Sequence, residues 1–92
     1  MTAHELIASI FLRVQDGMPG NARRISRAQL DFLRTLIGED EQGGAMQTAG
    51  PGVAVWTPSG RNKYVIREDL RGDRHVLERL ANVVPTGMDR LF

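Results

Sequence analysis

Apolar residues recur at three- and four-residue spacing in two N-terminal stretches and at two-residue spacing further on, so the chain reads as helices followed by a hairpin. In the first stretch Ala3, Leu6, Ile7, Ile10 and Val14 fall on one helical stripe that Phe11 widens. Thr2 and Glu5 stand at the spacing of a capping box, and Gly17 followed by Pro19 supplies the stop. In the second stretch Leu30, Leu33, Leu36 and Ile37 form the stripe, with Phe32 on its flank. Ser26 and Gln29 make another capping box, Ile25 is placed to staple onto Leu30, and Gly38 ends the helix. Residues 18–24, rich in turn formers, read as a connector.

Residues 52–68 carry the alternation of a hairpin around a Pro58-Ser59-Gly60 loop, where Pro suits a type I turn and Gly the left-handed residue after it. With that loop Thr57 faces Arg61, and the pairs outward are Trp56 with Asn62, Val55 with Lys63, Ala54 with Tyr64 and Val53 with Val65. Ala54, Trp56, Tyr64 and Ile66 then share an apolar face directed at the core, with Trp56 and Tyr64 partly buried. Arg61, Lys63 and Arg67 project from the other face, beside Val53, Val55 and Val65.

Residues 39–52 turn acidic and then glycine-rich, which predicts a mobile loop whose end, 45–48, alternates briefly enough to add an edge strand. Beyond the hairpin, Asp73 is placed to cap a third helix with Val76, Leu77, Leu80, Ala81 and Val84 inward, closed by Pro85. Residues 86–92 form a tail in which Leu91 and Phe92 can dock. The expected fold is a single α+β domain over 1–92, with two N-terminal helices and a C-terminal helix packed on a two- or three-stranded antiparallel hairpin.

Composition narrows the functional classes. A chain of 92 residues builds one core, and a homodimer would add to its stability. An apolar fraction of 41%, a charged fraction of 25% and a net charge of +1 argue against a dedicated polyelectrolyte binder, so any basic site must be local. Cysteine is absent, which removes disulfides and thiolate metal sites and fits a reducing cytoplasm. His4, Glu5 and Arg13 interrupt the apolar N-terminal stretch, so neither an export signal nor a membrane span is expected there.

Catalytic constellations are not apparent. His4 and His75 lack a partner ligand at helical spacing, so no metal is expected. Ser9, Ser26 and Ser59 each have a structural place, and the glycine pairs lack the Lys-Ser/Thr of a phosphate loop. Glu68 and Asp69, adjacent at a strand end, point apart. No cofactor and no enzymatic activity are expected.

Two binding readings remain. The hairpin resembles the wing of a winged helix, with Arg61 and Lys63 on phosphates and Arg67 extending the track. Arg23, Arg24 and Arg27 would join them at the start of the second helix, where the free amides favour an anion. The plain alternative is that these arginines are solvated and paired with nearby acids such as Asp31 or Asp73. The second reading is a protein-binding accessory, a small regulator or inhibitor of the kind mobile elements carry, using Val53, Val55 and Val65. Packing against a covering strand or loop from within the domain is the readier explanation of those valines. In Leu91 and Phe92 the tail resembles the peptides by which bacterial replication proteins dock on the sliding clamp, although Gly87 stands where those peptides carry Gln.

Overall fold

Helix α1 (Ala3–Phe11) leads into strand β1 (Ala22–Ser26), helix α2 (Arg27–Glu39), and then strands β2 (Gln47–Gly50), β3 (Val53–Trp56), β4 (Lys63–Glu68) and β5 (Arg74–Leu80). A computed structural model describes residues 1–39, 46–58, 62–68 and 74–80. The strands form one antiparallel sheet in the order β1-β5-β4-β3-β2. Both helices lie on one face of it, because their buried side chains share a core with Ile25, Trp56, Tyr64, Ile66 and Leu77.

Both capping boxes form. The Thr2 hydroxyl accepts from the Glu5 amide at 3.1 Å while the Thr2 amide donates to the Glu5 carboxylate at 2.7 Å. Hydrogen bonding from Thr2 to the Glu5 carboxyl, its amide first and its side chain second, holds that carboxyl below its ordinary value of 4.5. Ser26 and Gln29 reciprocate in the same way at 3.1 and 2.8 Å. The predicted stripes Ala3, Leu6, Ile7, Ile10 and Leu30, Leu33, Leu36, Ile37 are buried. Val14 is not part of the first: α1 ends at its cap, Leu12, and Val14 is 88% exposed.

The expected architecture is corrected in three places. No helix follows the hairpin among the described residues: residues 74–80, expected within a third helix, form β5, which lies between β1 and β4 and pairs with both. Asp73 and residues 81–92, Leu91 and Phe92 included, lie outside the described residues. The second correction is β1, in which residues 22–24 of the expected connector, together with Ile25 and Ser26, pair along β5 from Ala22↔Glu78 to Ser26↔Arg74. Third, the hairpin is the inside of a five-stranded sheet, not a wing projecting from a helical domain.

Its register also differs. Trp56 pairs with Tyr64, Val55 with Val65, Ala54 with Ile66 and Val53 with Arg67, two residues further along β4 than the short loop predicts. An even displacement keeps every side chain on its expected face. Trp56 and Tyr64 are therefore buried, at 0% and 5% exposure, with their rings stacked at 5.6 Å.

Of the glycine-rich segment, residues 46–52 include the edge strand β2, ending one turn before β3. Gly52 takes φ +69° after Pro51, the arrangement a type II turn requires, and its carbonyl accepts from the Glu68 amide at 2.8 Å.

Candidate interaction face

Directly paired residues in a sheet share a face, so the register assigns each strand side chain. Arg23, Ile25, His75, Leu77, Arg79, Tyr64, Ile66, Glu68, Ala54 and Trp56 belong to the helix-covered side. The opposite side has two rows across the strands. One runs Ala22, Glu78, Val65, Val55, Gln47; the next runs Arg24, Val76, Arg67, Val53. Leu80 with Lys63 flanks the first row, and Ser26 with Arg74 flanks the second. No described element covers this side.

Aliphatic residues fill its middle. Val65 and Ala22 are buried by their neighbours, Val53, Val55 and Val76 are half-buried, and Leu80 is exposed. Around them stand the exposed cations Arg24, Lys63, Arg67 and Arg74, while Glu78 is the face's one described carboxylate. Arg67 reaches it diagonally, Nη2 to Oε1, at 3.4 Å. Both partners are accessible enough that such a pair contributes only about 0–1 kcal/mol. Arg24 and Arg74 sit across adjacent strands and, with Ser26, Ile25, Gln15 and Asp16, line an open cavity of about 520 Å³.

The expected basic cluster divides. Lys63 and Arg67 lie on this face as anticipated, and Arg24 joins them through β1. Arg23 does not: the same alternation turns it inward, to 5% exposure. Its guanidinium donates to the carbonyls of Arg13 at 2.7 Å, Pro19 at 3.1 Å, Gly20 at 3.2 Å, Ala22 at 2.7 Å and Phe11 at 3.3 Å. It and Arg79 both lie over the Phe11 ring, at 4.9 and 4.5 Å from its centre. Arg23 is thus a brace that holds the chain between α1 and β1, with no free donor fork to offer a ligand. Arg27 is exposed on α2 and 3.8 Å from Asp31, so it stays with the helices. Arg61 lies outside the described residues. Val53, Val55 and Val65, expected as an alternative partner surface, belong to the same face as Lys63 and Arg67.

Arg74, Val76, Glu78 and Leu80 were not anticipated there. Their signal was the alternation of residues 74–80, obscured because the inward positions include His75 and Arg79 as well as Leu77. The two histidines differ: His4 packs on Trp56 at 5.2 Å between ring centres, whereas His75 is 3% exposed and neither ring nitrogen has a hydrogen-bond partner. Among the described residues no three His, Cys, Asp or Glu side chains gather where they could hold a metal ion. No described helix is long and apolar enough to cross a membrane. No protein-family model matches the chain, and searches of curated proteins and of solved structures find no significant match.

Proposed function

We propose that this chain is a non-enzymatic binding protein whose sheet face opposite the helices takes an anionic partner, with nucleic acid as the partner class. The observation that supports it is the sorting of charge. The whole chain is nearly neutral at +1, yet this face carries Arg24, Lys63, Arg67 and Arg74 against Glu78. Arg24 and Arg67 share a row with one strand between them, hence roughly 10 Å apart at the backbone, within reach of neighbouring phosphates for side chains of that length. Arg24 and Arg74 flank the open cavity with the Ser26 hydroxyl beside them, donors suited to phosphate oxygens, while Asp16 also lines it and its carbonyl accepts from the Arg24 guanidinium at 3.3 Å.

Chemistry also sets the binding mode. Trp56 and Tyr64 are on the covered side, so among the described residues the face offers cations and methyl groups but no ring on which a base could stack. The contact is therefore to backbone phosphate, with little sequence preference. Fluorescence anisotropy with labelled single- and double-stranded oligonucleotides, over a salt series, tests this. Replacing both Arg24 and Arg74 by Ala should weaken binding and lower the salt slope by about two counterions, whereas Arg27→Ala should leave both unchanged. Failure to bind either oligonucleotide at low salt, or indifference to the double substitution, would reject the proposal.

A protein partner is the second reading, favoured by half-buried Val53 and Val55 on that same face. It requires binding that survives nuclease and moderate salt and is lost in Val55→Asp.

A further inference from the structure

The two edges of the sheet are treated differently. Along β1 the outward backbone groups are occupied by the chain itself. The Ala22 amide donates to the Pro19 carbonyl at 3.2 Å, and the Ser26 amide donates to the Gln29 side chain at 2.8 Å. Between them Gln15 behaves as a strand of one residue: its Oε1 accepts from the Arg24 amide at 2.7 Å and its Nε2 donates to the Arg24 carbonyl at 3.0 Å. A partner strand cannot hydrogen-bond there without displacing those groups.

At the other edge, among the described residues, β2 pairs only with β3 and no group hydrogen-bonds to its outer side. Gln47, Thr48 and Ala49 are exposed and Gly50 partly so. Within the strand there is no lysine, no inward charge and no proline, Pro51 standing just beyond it, although β2 is only four residues long and its register shifts between Thr48 and Gly50, which keeps any pairing there short. We propose that β2 is an edge-pairing site for a second copy of this chain, the two β2 strands running antiparallel about a two-fold axis to join two sheets into one.

Three observations select that occupant. An isologous interface sets the strand against its own copy, so charges of one sign would be brought close across the axis, and β2 has none. The charges bordering the strand on the helical side, Arg34 and Glu68, are of opposite sign. An extended peptide would have to be ordered for the few hydrogen bonds a strand of this length provides, whereas a second β2 arrives already ordered by β3. Beside the axis, Gln47 and the half-buried Val55 and Val53 of each copy would extend one another's aliphatic surface. This inference does not depend on the anionic partner proposed above.

The full chain, measured by sedimentation equilibrium from low micromolar to near-millimolar concentration, should show a monomer–dimer equilibrium. Gln47→Lys combined with Ala49→Lys places like charges across the axis and should raise the dimer Kd roughly tenfold or more. Circular dichroism would establish that the variant folds. On the unaltered chain, amide exchange followed by NMR should show protection of residues 47–50 that increases with concentration. A monomer at every concentration would overturn the assignment, as would a lysine variant that folds and dimerises like the parent. Concentration-dependent protection confined to the face bearing Lys63 and Val65 would also overturn it, and so would a monomer that captures extended peptides at β2.

Discussion

Arg23 and Arg24 are neighbours in sequence and opposites in role, and the only thing that separates them is the two-residue period of a strand. A run of arginines reads as solvated surface until that strand is recognised, which is why Arg23 looked like a ligand contact. Substituting Met retains its length but leaves the carbonyls of Phe11, Arg13, Pro19, Gly20 and Ala22 without this donor. Urea unfolding should show Arg23→Met destabilised by about 2–4 kcal/mol, and Arg24→Met by less than about 1 kcal/mol. His75 presents the reverse case. Two buried nitrogens without partners are a cost the fold carries, so His75→Leu should raise stability by about 1 kcal/mol. A loss in the same urea experiment would show that the ring supplies something the packing needs.

At the scale of elements, whatever was determined by neighbours a few residues away was legible. Both capping boxes and both helical stripes are local, and they stand as read, apart from Val14. The hairpin faces were legible because they depend only on parity, while its register was not, because the described pairing sets Trp56 against Tyr64 where the turn residues imply Asn62. β5 was misread for a different reason. Val76, Leu77 and Leu80 fit a helical stripe as well as a strand, and the choice is made from a distance, by β4 and β1, whose hydrogen-bonding edges both need a partner. The strand makes a distinct forecast: Leu77 is fully buried under the helices and Val76 half-buried on the other side. Leu77→Ala should cost about 2–5 kcal/mol in chemical denaturation and Val76→Ala about 1 kcal/mol or less, whereas a helix with both residues inward would make the two comparable.

At the scale of the molecule the sheet is a sorting device. It separates aromatic and branched residues, covered by α1 and α2, from a face on which cations ring a patch of valines. The part of that face carried by β3 and β4 was legible, since Lys63, Arg67, Val53, Val55 and Val65 come from one hairpin. Arg74 and Arg24 were not assembled with it, because they reach it only through the non-local order β1-β5-β4.

Gln15 has a consequence for what the sheet can build. A ladder that remained unsatisfied on both sides could add protomers head to tail without end, which is the geometry of fibrils. Here the Gln15 amide, flanked by the Pro19 carbonyl and the Gln29 side chain, closes the β1 edge, so strand addition can proceed in a single direction and stops after one step. Any assembly formed through β2 is finite by construction, and the residue that limits it lies at the far side of the molecule from the contact it governs.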